Sequence, residues 1–281
     1  MNADVLIAVL QAIEKKLAHQ QNVVVSVCGG SCTRKSSLVS AFLSNHFKDR
    51  CVVISQDQFQ LQPTFLNKVN PKYMWDHPGN FGIEQCQVAL TQLRQNITVK
   101  IPDYQFKKEQ KVGFKVITPK PILIFEGLYA NFNELAALND VSIYVESPCY
   151  ARMIRRIFRN TLDRYKHKEH ELILKSFCNS VAAAHQDFVI DQKHKCDYII
   201  QVPLAFDQIT GYYALEPVDY DTGKALTEYN LVHDQDIKVR LLTDHNDQSR
   251  FILFYKERPY LNFQISNTLA TKTKTIDWLA Y

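Results

Sequence analysis

VVVSVCGGSCTRKSS, residues Val23 to Ser37, decides how the rest of the chain is read. Four valines within the first five residues form a short apolar run of the kind that makes a buried strand. The run breaks at Gly29-Gly30, and Lys35-Ser36 then opens a helical pattern carried by Leu38, Phe42 and Leu43. Strand, glycine-rich loop, Lys-Ser, helix is the order of parts in a phosphate-binding loop of pattern G-x-x-x-x-G-K-[ST]. Gly29, Lys35 and Ser36 stand in register, and Arg34 occupies the place of the second glycine. Backbone N–H groups at Gly29, Gly30, Ser31, Cys32, Thr33, Arg34, Lys35, Ser36 and Ser37 are the candidates to cradle phosphates. Lys35 would supply a point charge and Ser36 a hydroxyl to Mg²⁺.

Working outward, the flanking segments alternate in period. Residues 3–19 carry Val5, Leu6, Val9, Leu10, Ile13 and Leu17 at helical spacing, and 83–96 is a second helix. CVVIS (51–55), PILIFEG (121–127), VSIYVE (141–146) and CDYIIQV (196–202) read as strands beside the first at 22–27. Residues 98–106 and 112–117 read as a hairpin flap, 58–81 as a long functional loop, and 148–165 and 169–190 as helices. Strands alternating with helices predict an α/β fold: a five-stranded parallel sheet of P-loop type with helices on both faces. The pattern changes after Pro203. Runs at Ile237–Leu242, Phe251–Tyr255 and Leu261–Ile265 predict a β-rich extension, 204–281, packed on a P-loop domain of 1–203.

Two acids sharpen the site. Asp57 follows the second strand and Glu126 ends the third, which places both on the ligand-binding edge of such a sheet. One suits Mg²⁺, the other an attacking hydroxyl. Arg152, Arg155, Arg156 and Arg159 recur at three and four residues, so they share one helix face. That face is either solvated or suited to the charge of phosphoryl transfer. Cys28 and Cys32 flank the glycines as small fillers or as oxidation-sensitive thiols. Lys107, Lys108, Lys111 and Lys115 read as a solvated hairpin, and His245 as part of a turn.

From about residue 22 to 202 the chain resembles the uridine-cytidine kinase and phosphoribulokinase family of P-loop kinases in the order of its motifs. GGSCTRKSS resembles the family loop GGSASGKTT. ISQDQF (54–59) resembles ISQDSFY, which implies that Asp57 activates the acceptor hydroxyl. WDHP (75–78) resembles NFDHP, which gives Asp76 the ribose. IPDYQF (101–106) resembles IPVYDF, which gives Tyr104 and Phe106 the nucleoside pocket. FEGLYA resembles YEGIL, placing Glu126 near Mg²⁺, with Ser36 and Asp57 completing the metal set. RRIFRNTLDR (155–164) resembles the lid RRVLRDISER, with Arg159 and Arg164 as phosphate contacts. HQDFVIDQKHKCDYII (185–200) resembles the stretch before the last strand. The resemblance implies ATP and Mg²⁺ as cofactors, a nucleoside-like alcohol as substrate, catalysis by Asp57, Lys35 and Arg159, and a homo-oligomer. Departures accompany it: Arg34 for glycine, implying impaired activity; Gln105 for the pocket Asp; Glu109 for a His; Asn160 for the lid Asp; Gly79 and Gly82 for acids. They keep two alternatives open: a degenerate, non-catalytic binding protein of the same fold, and a kinase for another small alcohol such as a sugar phosphate, pantothenate or glycerate.

Composition sets bounds. The chain has 281 residues, 46% hydrophobic and 22% charged, which suits a folded domain with a sizeable core. A net charge of +4 spread along the length argues against a nucleic-acid or membrane surface. Seven scattered cysteines, an odd number without a C-x-x-C pair, fit reduced thiols in a cytoplasm better than a disulfide framework.

Overall fold

The computed structural model describes residues 3–61, 76–160, 173 and 175–202, and the strands lying between 224 and 264. The chain forms two compact units, Met1–Ser147 with Ala183–Val202, and Pro148–Ala182 with Pro203–Tyr281.

The first unit is built on a parallel sheet. Strands β1 (Val23–Cys28) and β2 (Cys51–Ser55) bracket helix α2 (Ala41–Phe47), which is entered through a wide π-helical turn, Lys35–Ser40. Helix α1 (Ala3–Leu17) precedes them. Helix α3 (Ile83–Arg94) leads to the antiparallel pair β3 (Val99–Gln105) and β4 (Gln110–Ile117). Strands β5 (Ile122–Gly127), β6 (Val141–Glu146) and β7 (Tyr198–Gln201) complete the sheet, in the spatial order β2-β5-β1-β6-β7.

Period 2 explains why the central strands are apolar throughout. Val23, Val25 and Val27 of β1 face one layer with Leu6, Val9 and Ile13 of α1 and Val39, Leu43 and Phe47 at α2. Val24 and Cys28 face the other with Leu90 and Leu93 of α3, Phe59 and Tyr129. A strand covered on both faces has no polar face to show, so it reads as a continuous run rather than an alternation. Truncating one of these fully buried side chains, such as Ile13, to alanine costs about 2–5 kcal/mol.

The order of connections positions the site. From β1 the chain crosses to β2 on one side, beyond β5, and later runs from β5 to β6 on the other side of β1. The crevice at the carboxyl end of β1 lies at this switch point, where ligands bind in open α/β sheets.

The second unit contains helix α4 (Cys149–Arg159), short helical turns at Phe177–Val181, and an antiparallel sheet of β8 (Lys224–Leu231), β9 (Asp234–Thr243), β10 (Ser249–Tyr255) and β11 (Arg258–Gln264) in the order β11-β10-β9-β8. Three of these strands overlap the expected runs. The fourth, β8, reads KALTEYNL and was absent from the expectation, because interleaved Lys, Thr, Glu and Asn dilute its apolar signal. The unit draws on 148–182 as well as on residues after 203.

Candidate active site

Gly29 takes φ +140, and a Cβ built on it would overlap the Val145 carbonyl oxygen of the neighbouring strand β6. Glycine is therefore required there on two counts, backbone angle and space. The loop then folds on the Gly30 carbonyl. That oxygen accepts hydrogen bonds from Thr33 N (3.3 Å), Thr33 Oγ1 (3.0 Å) and Lys35 Nζ (3.3 Å). Cys32 and Arg34 both adopt positive φ, 64° and 70°. At Arg34, with ψ 23°, this is the left-handed conformation that a glycine supplies freely and other L residues pay about 1–2 kcal/mol to hold. The departure from the motif thus leaves the loop backbone in the conformation expected of glycine, with the strain borne by arginine. Partial burial also lowers the Arg34 guanidinium below its ordinary pKa.

The acids meet this loop as the strand register dictates. Glu126 pairs with Val27 of β1 on one side and with Ser55 of β2 on the other. Its side chain is 6% exposed and accepts a short hydrogen bond from Ser36 Oγ. Burial raises the Glu126 pKa; the charge of Asp57 adds to the rise, while Lys35 and hydrogen bonds from Ser36 and Ser55 oppose it. Ser55 Oγ in turn accepts the Asp57 backbone N–H at 3.3 Å and so caps the turn Gln56–Phe59 that presents Asp57. Lys35, Ser36, Asp57 and Glu126, distant in sequence, are thereby one interacting group.

Gln56 holds the same corner from beneath. It is fully buried, its Oε1 accepts Tyr129 N–H at 2.8 Å, and any side chain at residue 127 would overlap it. The glycine after Glu126 is thus the space in which Gln56 sits.

Among the residues expected to hold the acceptor, Asp76 is 7% exposed, and its backbone carbonyl accepts the Tyr129 hydroxyl. Burial, then the Asp76 charge, pushes the Tyr129 pKa well up. Tyr104 and Phe106 pack edge to face, 5.2 Å between ring centres. The β3–β4 ladder has a bulge between Asp103 and Tyr104. There Gln58 Oε1 accepts both Tyr104 N–H (3.2 Å) and Lys115 Nζ (3.4 Å). Lys115 also pairs with Asp103 at 2.9 Å, so it is engaged rather than merely solvated. Gln56, Gln58 and Tyr129 were not expected from sequence. The signal available was their position beside Asp57 and Glu126.

The arginines of α4 lie in the second unit. Arg152 and Arg156 are 3% and 9% exposed, which excludes a solvated basic face, and Arg152 lies 6.0 Å from the Phe177 ring centre. Arg159 is half-buried on the same helix; Arg164 and His245 lie outside the described residues. Among the described residues, no helix is long and apolar enough to cross a membrane, and no group of three or more His, Cys, Asp or Glu side chains could hold a metal.

Comparison with known proteins bears on this arrangement. The model of the phosphoribulokinase / uridine kinase family matches residues 24–207. A uridine kinase of Staphylococcus carnosus is 30% identical over 185 residues, 63% of this chain and 86% of that protein. Uridine kinase-like protein 3 of Arabidopsis thaliana is 29% identical over 187 residues, covering 65% of this chain but only 40% of that longer protein. The fold is similar to that of a D-glycerate 3-kinase from Cryptococcus neoformans, with a TM-score of 0.53 and 14% identity over 72% of this chain and 96% of that one.

Proposed function

The chain belongs to the phosphoribulokinase / uridine kinase family, and from that premise we propose that it is an ATP-dependent kinase for the 5′-hydroxyl of a pyrimidine nucleoside. The observation that carries the reading is the Ser36–Glu126 hydrogen bond at the carboxyl edge of the sheet, with Lys35 and Asp57 acting on the same carboxylate. A hydroxyl and two carboxylates are hard oxygen donors of the kind Mg²⁺ takes, so Ser36, Glu126 and Asp57 fit that ion. Gly29, without room for a Cβ, and the turn that follows it fit the close backbone approach that phosphates need. Bound Mg-ATP supplies the phosphoryl group and part of the charge neutralisation.

The chain's own residues do the rest. Lys35 offsets negative charge on the phosphates. Asp57, held by the Ser55 cap, orients the acceptor hydroxyl and takes its proton. Asp76 holds sugar hydroxyls, and Tyr104 with Phe106 lines the base. Arg159 and Arg164 keep their roles as phosphate contacts on the resemblance alone. Such a reaction needs no covalent intermediate, so positioning and electrostatics carry the rate.

The test is ADP release with Mg²⁺ and a panel of acceptors: uridine, cytidine, sugar phosphates, pantothenate and glycerate. Turnover on uridine or cytidine is the expected result. Turnover confined to another alcohol would retain the kinase and replace the acceptor, an outcome that Gln105 and Glu109 in the pocket segment favour. A second reading, a degenerate protein of the same fold that binds a ligand or partner without catalysis, is favoured by the strained Arg34 in the loop. It predicts no thermal stabilisation by Mg-ATP and no turnover on any acceptor, with none restored by Arg34→Gly.

A further inference from the structure

Cys28 and Cys196 lie 168 residues apart in sequence, yet their sulfurs are 3.5 Å apart. Cys28 is the last residue of β1, fully buried, and immediately precedes Gly29. Cys196 is half-buried, just ahead of β7 in the same unit. We propose that these two thiols are a reversible oxidation site, closing to a disulfide at the root of the phosphate-binding loop.

The surroundings give the two sulfurs different tasks. Asn131 Nδ2 donates to Cys196 Sγ at 3.3 Å, and Asn131 is itself fixed by Asn139, whose Nδ2 donates to its Oδ1 at 2.9 Å. The hydrogen bond from Cys28, with others from Ser142 and Asn131, favours the Cys196 thiolate, against burial and the charge of Asp197. Burial favours the neutral thiol at Cys28, despite the attraction of Lys35 for its thiolate. Cys196, the less buried of the two, is therefore the nucleophile, and Cys28 the resolving thiol behind it.

With hydrogen peroxide as oxidant the steps balance. The Cys196 thiolate attacks one peroxide oxygen, the O–O bond breaks, and hydroxide leaves as water after protonation, giving a sulfenic acid. The Cys28 sulfur then attacks the sulfenic sulfur. An S–S bond forms, the S–O bond breaks, the Cys28 proton is released, and a second water departs. In total, two thiols and one peroxide give one disulfide and two waters. A disulfide spans about 2.05 Å, so the sulfurs must close by about 1.5 Å. The movement falls next to Gly29, where the Val145 carbonyl leaves no room even for a Cβ. The loop is therefore displaced, and nucleotide binds more weakly to the oxidised form. That last step rests on the proposed function; the disulfide itself does not.

The test separates the two. The reduced full-length protein is treated with peroxide, its free thiols are counted in denaturant, and its disulfides are mapped by mass spectrometry without reduction. Loss of two of the seven thiols, a 28–196 cross-link and recovery with dithiothreitol are expected. In Cys28→Ala the reaction stops at a Cys196 sulfenic acid that dimedone traps. A cross-link between other cysteines, or seven thiols remaining, overturns the site whatever the nucleotide does. Calorimetry with Mg-ATP then reads the coupling, with affinity about tenfold lower for the oxidised protein. Equal affinity overturns the coupling and leaves the mapped disulfide. No binding by the reduced form would sink the nucleotide-site reading instead.

Discussion

The proposed phosphate side and the proposed acceptor side of the site are built differently. On the phosphate side, Gly29, Lys35 and Ser36 come from one short stretch, and Glu126 meets them through parallel ladder pairing with Val27. On the acceptor side, the turn carrying Asp57 and Gln58, and Asp76, Tyr104 and Tyr129, come from separate segments tied by side chain–backbone bonds, Gln58 to Tyr104 and Tyr129 to Asp76, with Ser55 capping the turn at Asp57. The first is fixed by the sheet, and its parts cannot shift singly. The second is assembled from individual bonds, each worth about 1 kcal/mol, and can be retuned one residue at a time. A family could thus keep one phosphate machine while changing the alcohol it serves.

The sharpest break in that comparison comes from the charges at its seam. Asp57→Ala or Lys35→Ala is expected to lower kcat by about a thousandfold or more, near 4 kcal/mol, with melting temperature within a few degrees of the parent. Equal loss of fold and activity would show a structural rather than a chemical role. Next, Gly29→Ala must displace the β6 backbone or lose the φ +140 turn. Unfolding in urea should show a loss of about 2–4 kcal/mol, and an unchanged midpoint would refute the tight packing of this corner.

Glu126→Gln tests the cost of the rigid side. The folded-state pKa of Glu126 lies above its unfolded value because burial disfavours the ionised form. Stability linked to this group is present below the unfolded pKa and is lost as pH rises through the folded one. At pH 7 the Gln variant, free of the buried charge, should therefore be the more stable of the two, with the difference vanishing as pH falls below the unfolded pKa. It should also lose its Mg²⁺ dependence of nucleotide binding. A variant less stable than the parent at pH 7 would show that Glu126 is held mainly by attraction.

On the adjustable side, Gln58→Leu should raise the acceptor KM by about three- to tenfold through the freed Tyr104 N–H, with the KM for ATP unchanged. Faster amide exchange at Tyr104 would show that the hairpin contact was lost; parallel changes in both KM values would break the division between the two sides. Smallest is Arg34→Gly. Relief of the left-handed strain and the greater freedom of the unfolded chain nearly cancel, so stability should move by under about 1 kcal/mol. A large gain in turnover would identify the Arg34 side chain, not its backbone, as the obstacle.

Legibility in the sequence followed the same division. CVVIS and VSIYVE matched strands β2 and β6 at both ends, because doubly covered strands leave uninterrupted apolar runs. The acids at the ends of β2 and β5 were visible because strand ends are. Gln58 was not, since the bulge that frees the Tyr104 N–H depends on the register of two other strands. The buried state of Arg152 and Arg156 was equally hidden, because a basic helix face looks the same in sequence whether water or protein covers it.

By itself the sequence determined the alternation of strands and helices, the phosphate-binding loop and the family, because these rest on local periodicity and on residues close together in the chain. Only the tertiary structure decided that Arg34 holds a glycine's backbone angle, that Gly29 is pressed against β6, and that Cys28 meets Cys196. Those are facts about distances between segments as much as 168 residues apart. They are set by strand order and packing, which no local pattern encodes.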